Sequence, residues 1–128
     1  MSQPTVAIIG ASADRSKYGN KSVRAHLAQG YQVFPVNPKG GEIEGLEVYK
    51  SLEEVPVQRL HRVSLYDPPA IGLELVEQIA EKGCDELWLN PGSESEQLST
   101  KARQLGLEPI TACSIVDVGI DPHDMEDK

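Results

Sequence analysis

The sequence is short of several things, and each shortage excludes something. No run of about 18 apolar residues occurs, so no helix long enough to cross a membrane is expected. The opening Met1-Ser2-Gln3-Pro4 has no basic stretch and no apolar leader core, so a cytoplasmic location is expected rather than secretion. There are two cysteines, Cys84 and Cys113, without CxxC spacing, and they read as reduced thiols rather than a disulfide framework. The three histidines, His26, His61 and His123, show no metal-ligand spacing, so no metal is expected. No serine sits in a GxSxG elbow, and neither GxGxxG nor GxxxxGK[ST] is present. Repeats and linkers are missing as well. What is left, 128 residues with 39% hydrophobic and 25% charged, describes one globular domain with room for a core of its own.

Charge is unevenly spread. Residues 1–39 carry five bases (Arg15, Lys17, Lys21, Arg24, Lys39) against one acid, Asp14, a net of +4. The other 89 residues carry seven bases against nineteen acids, a net of −12, and the chain totals −8. An acidic chain is a poor partner for nucleic acid or an anionic membrane. The basic first third has two readings, a pocket for a compact polyanion or a solvated helix face. A protein partner or a homodimer stays open.

Strand and helix patterns alternate along the chain. Thr5 to Ile9 is a short continuous apolar run, the mark of a strand buried on both faces. A small-residue loop, Gly10 to Gly19, leads to a helix with Val23 and Leu27 on one face and Gly30 after it. Further strands are expected at 31–36, 62–66 and 86–89, with a weak one at 108–111 whose Pro109 belongs at a sheet edge. Ser51-Leu52-Glu53-Glu54 fits a capping box opening a short helix. Helices follow the strands at 62–66 and 86–89. This is an α/β, Rossmann-like three-layer fold with a five-stranded parallel sheet, expected in the order 3-2-1-4-5. The domain is placed at 1–116, and 117–128, with five acids and one base, is expected to be a flexible acidic tail.

In such sheets ligands bind beyond the carboxyl ends of the strands, at the switch point, expected here between the first and fourth strands. Four loops reach that edge: Gly10-Ala11-Ser12 through Lys17-Tyr18-Gly19, then Asn37-Pro38-Lys39, Asp67-Pro68-Pro69 and Asn90-Pro91-Gly92. Backbone amides at the start of the first helix, with Ser12 and Lys17, suit a phosphate, although a plain strand-to-helix connection has the same composition. After the second strand, NAD-binding folds place an acid for the ribose hydroxyls. This chain has Asn37-Pro38-Lys39, which favours a phosphorylated ribose, as in coenzyme A or NADP, unless Lys39 is only a surface residue of the turn.

The stretches VAIIGAS, KYGN, GYQVFPVNPKGGEIEG, SLEEVP and ELWLNPG resemble the small stand-alone coenzyme A-binding proteins. Their domain is similar to the N-terminal domain of the succinyl-CoA synthetase alpha subunit. The resemblance covers about residues 4–116. It implies that Ser12, Lys17, Tyr18 and Gly19 hold the diphosphate side of coenzyme A or an acyl-CoA. It also implies that Lys39 lies beside the phosphorylated ribose, and that Leu89, Asn90 and Pro91 run along the ligand. The chain departs from the family at Trp88-Leu89-Asn90-Pro91-Gly92, where Trp-x-Gln-x-Gly is usual, and at Thr111-Ala112-Cys113, where Asp-Arg-Cys is usual. The synthetase's phosphohistidine domain has no counterpart in these 128 residues, so the resemblance implies binding and not ligation. No proton-transfer residue stands out. Cys113 reads as an inert core thiol or a neighbour of a ligand thiol. A dinucleotide-dependent enzyme using NADP, or a regulatory nucleotide-binding module, are the alternative functions.

Overall fold

The computed structural model describes residues 3–128; Met1 and Ser2, the start of the expected 1–116 unit, lie outside the described residues. Strand β1 (Thr5–Ile9) is an inner strand of a parallel sheet and is buried from Val6 to Ile9. Its side chains alternate between two cores. Ala7 and Ile9 join the one that includes Val63, Leu65, Val76, Ile79, Leu87 and Leu98, while Val6 and Ile8 join Val23, Val33 and Val48. Both faces are apolar because both are covered by helices, which is why the run shows no polar alternation.

Helix α1 (Tyr18–Ala28) lies on one face and leads to β2 (Gln32–Val36). A small antiparallel hairpin follows, β3 (Glu42–Ile43) with β4 (Leu46–Glu47). Beyond it come β5 (Leu60–Leu65), α2 (Pro69–Lys82), β6 (Cys84–Leu89), α3 (Glu96–Gln104), β7 (Pro109–Ile110) and the single turn α4 (Ser114–Asp117). Helices α2 and α3 cover the second face, and α1 and α4 the first. The capping box expected at Ser51 is a three-residue 3-10 turn, Leu52–Glu54, in which the serine side chain caps nothing. Pro56 lies two residues beyond and leaves no room for a full helix.

The sheet order is β2-β1-β5-β6-β7, all parallel. It corresponds to the 3-2-1-4-5 pattern. The place outside β2 is marked by one parallel bridge, Val36 to Tyr49. β5 takes the fourth place, beside β1, so the switch-point crevice opens between β1 and β5, not between β1 and the strand at 86–89. Pro109 sits on edge strand β7, where a missing N–H leaves no ladder gap.

The expected division at 116/117 falls at the end of α4, and the acidic segment after it is anchored. Buried Arg62, on β5, donates to Asp117 Oδ2 at 2.7 Å. Lys21 Nζ donates to the Pro122 carbonyl at 3.2 Å and pairs with Asp127 at 2.9 Å. Arg24 donates to the Glu126 carbonyl at 2.8 Å, and Gln29 to that of Val118 at 2.9 Å. Composition shows only that this segment is acidic. The bases that hold it belong to α1 and β5, far away in sequence.

Candidate functional site

The carboxyl ends of β1 and β2 meet the start of α1 at a groove of about 610 Å³. Gly10, Ala11, Ser12, Lys17, Tyr18, Gly19, Asn37, Lys39, Asp67 and Pro91 all face it, ten of the fourteen residues expected at a site. The sequence reading missed Ser16 and Tyr66, which also line it. Tyr66 directly follows β5, a position at the carboxyl edge that was available as a signal.

Two glycines shape the groove. Gly10 has φ +87°, a left-handed value that favours glycine, and a Cβ there would lie 3.0 Å from Asp67 Oδ1. At Gly19 a Cβ would run into the Gly10 carbonyl, so α1 starts in backbone contact with the end of β1. The amides of Gly10 and Ala11 both donate to the Val36 carbonyl, at 3.1 and 3.3 Å. They tie β1 to β2 and are not free for an anion. The free donors are one turn on. Lys17 caps α1 with backbone only, no acid lies in the helix's first turn, and the Tyr18 and Gly19 amides have no acceptor among the described residues. A helix start of this kind suits a negative group.

The surrounding polar side chains fix the loops. Asn37 Nδ2 donates to the Ala11 carbonyl at 2.8 Å, and Asn37 Oδ1 accepts from the Lys39 amide at 2.9 Å, so one residue joins the two loops. Asn20 Nδ2 donates to the Ser12 carbonyl at 2.9 Å. Asp14 is turned onto Ser16, whose amide and hydroxyl hold its carboxyl below the usual range. Burial raises the Asp67 carboxyl above the ordinary value. Lys17 and Lys39 are exposed and form no ion pair among the described residues.

Four expected residues do not face this groove. Leu89 is fully buried in the core against α2 and α3. Pro68 precedes the first turn of α2. Pro38 lines an adjoining cavity of about 310 Å³ with Val36, Leu52 and Ile71. Asn90 is spent internally: it donates to Ser64 Oγ at 2.8 Å and the Leu65 carbonyl at 2.9 Å, and accepts from the Ser114 amide at 2.9 Å. It pins β6 to β5 and α4 and touches a second cavity, of about 290 Å³, next to the groove. Cys113 lines that second cavity; Cys84 lies at the other end of the sheet, its thiol pushed up to about 11 by burial. No cluster of three metal-ligating side chains occurs among the described residues.

The family model for the CoA binding domain matches residues 4–119. The chain belongs to the coenzyme A-binding domain family. This CoA-binding domain is 35% identical over 85 residues to the alpha subunit of ADP-forming acetate–CoA ligase I from Pyrococcus furiosus, covering 62% of the chain and 18% of that subunit. The chain spans less than a fifth of the curated relatives it matches. Among solved structures it resembles a conserved hypothetical protein of Pyrococcus furiosus at 32% identity and a TM-score of 0.78, covering 91% of this chain and 99% of that one. A hypothetical protein of Pyrococcus horikoshii is 31% identical with a TM-score of 0.82, covering 88% of this chain and 79% of that one.

Proposed function

We propose that this protein binds coenzyme A or an acyl-CoA in the cytoplasm, without catalytic machinery of its own. The observation that carries the reading is the groove itself. It brings two unpaired lysines from separate loops, Lys17 and Lys39, to an uncapped helix start. The diphosphate lies against Ser12, Lys17 and the amides of Tyr18 and Gly19. The phosphorylated ribose lies by Lys39, held over the groove by the Asn37 turn. The remaining arm runs past Tyr66 and Pro91, at the β5 and β6 ends. No acid follows β2 to hold a free ribose diol, which weighs against NAD. Membership of the family and the similarity to ligase alpha subunits support the ligand class.

Calorimetric titration with coenzyme A and 3′-dephospho-coenzyme A tests this. A charge-assisted hydrogen bond is worth about 1.5–3 kcal/mol, so coenzyme A is expected to bind about 10–100-fold more tightly at low salt. The Lys39→Ala variant is expected to bring that ratio close to one. Equal affinities for the wild type would remove Lys39 from the site, and tighter binding of NADP would replace the reading with a dinucleotide-dependent enzyme.

A further inference from the structure

The second cavity opens beside the groove and shares Tyr18, Tyr66 and Pro91 with it. Its far wall is built by the end of the chain, from Val116 and the Asp121–His123 turn. Two of the chain's exposed large apolar residues, Tyr18 at 46% and Val116 at 58%, line this one cavity. Exposed apolar side chains gathered in a concave site mark a place where a ligand covers them. The wall is fixed: Lys21 holds the Pro122 carbonyl and Asp127, and Arg62 holds Asp117. Tyr66 is fixed too, its hydroxyl hydrogen-bonded to Ser114 Oγ at 3.0 Å.

We propose that this cavity is an acyl chamber, and that the protein selects acyl-CoAs carrying a short, uncharged acyl group over free coenzyme A. The inference rests on the coenzyme reading of the adjoining groove. Position supports it: the phosphate-facing lysines lie at the β1 and β2 ends, and the cavity lies at the β5 and β6 ends, against α4. Neighbouring strands are about 4.8 Å apart, so β2 and β6 are roughly 14 Å apart. A nucleotide with an extended thioester arm spans that edge and brings its acyl end to the cavity. Size supports it as well. At about 30 Å³ for each water-sized group, the 290 Å³ chamber holds roughly ten heavy atoms. That accommodates the thioester and an acyl chain of roughly four to six carbons. Charge sets the last condition. Asp121, held at the rim by accepting the His123 amide at 2.9 Å, repels an acyl chain that ends in a free carboxylate.

The experiment is calorimetric titration of the full chain with free coenzyme A and with its acetyl, butyryl, hexanoyl and succinyl thioesters. Burying one methylene corresponds to about a fourfold gain. Butyryl-CoA is therefore expected to bind at least about tenfold more tightly than acetyl-CoA, with succinyl-CoA no tighter than acetyl-CoA. Val116→Trp fills the chamber and is expected to bring the butyryl-to-free-coenzyme ratio to one or below. Val116→Ala enlarges the chamber and is expected to raise the affinity for hexanoyl-CoA relative to butyryl-CoA, with thermal midpoints confirming that both variants fold. Equal wild-type affinities for coenzyme A and butyryl-CoA overturn the chamber and leave the coenzyme reading standing. So does a butyryl preference that survives Val116→Trp, or succinyl-CoA binding as tightly as butyryl-CoA. If neither coenzyme A nor any thioester binds, both readings fall together.

Discussion

The two halves of the sheet's carboxyl edge are held by different means. At the β1 and β2 ends the shape comes from neighbours in sequence: a left-handed glycine at 10, a bare glycine at 19, and Asn37 joining the two loops. At the β5 and β6 ends it comes from distant partners: Tyr66 and Asn90 both hydrogen-bond Ser114. Deeper in the sheet, in register with Val6 and Glu86, Arg62 stacks on Trp88 and Tyr31, with its guanidinium carbon 4.6 and 5.3 Å from the ring centroids, and bridges Glu86 and Asp117. Four of the five bases of the first third divide between the two jobs, and the fifth, Arg15, lies 3.7 Å from Glu44. Lys21 and Arg24 hold the carboxyl-terminal segment, while Lys17 and Lys39 carry charge into the groove. A positive stretch of sequence is thus two sets of residues with unrelated roles, and only their partners tell them apart.

The largest effect is expected where the groove's backbone is broken. Gly10→Val places a branched side chain at φ +87° against Asp67, and strain and overpacking together cost about 4 kcal/mol. Coenzyme A binding should be lost, and the urea midpoint should drop in the same experiment. A variant that still binds would show that the β1 turn does not shape the groove.

Arg62→Met should come next. It removes a cation that is 3% exposed and breaks its ion pairs with Glu86 and Asp117, at a cost of roughly 3–4 kcal/mol. Its diagnostic effect is selective: the preference for butyryl-CoA should disappear while free coenzyme A still binds. Loss of both in equal measure would mean that the two halves are one cooperative unit.

Acid should act on the same anchor. His26 is completely buried, donates through Nδ1 to the Ser22 carbonyl at 2.8 Å, and its Nε2 lies 3.4 Å from Arg62. Burial lowers its pKa to about 4, against 6.5 in the unfolded chain. Below pH 6.5 the unfolded state takes up a proton that the folded state refuses, so stability falls as pH drops toward 4 and is flat in this respect above 6.5. The fall should reach up to about 3 kcal/mol. Urea unfolding from pH 7.5 to 4 measures it, and His26→Gln should flatten the slope over that range.

The smallest effect belongs to Lys17→Ala. Its side chain is exposed, so stability should change by less than about 1 kcal/mol. Coenzyme A affinity should fall several-fold at low salt, and the deficit should shrink as salt rises and screens the lost attraction. Wild-type affinity at low salt would assign Lys17 to solvent and leave the groove's charge to Lys39 alone.

The order of the main elements was legible in the chain because β1, β2 and β6 finish on short apolar runs closed by Gly10, Asn37 and Asn90, signals that act within a few residues. The loops at the carboxyl edge were legible for the same reason, and so ten of the expected residues meet at one groove. Local signals failed where a side chain answers to a distant one. Nothing near Asn90 says that its amide is used up on Ser64, Leu65 and Ser114, and nothing near Leu89 says which face of β6 it takes. The acidic segment after Asp117 read as a solvated tail because its own residues are polar; the tertiary structure alone brings it against Lys21, Arg24 and Arg62. By itself the sequence determined which residues turn the chain and which strands are buried on both faces, since backbone conformation and apolar periodicity are local properties. The tertiary structure decided which bases are neutralised, which are left in the groove, and that a chamber exists beside it, because ion pairing and cavity shape depend on residues up to about a hundred positions apart.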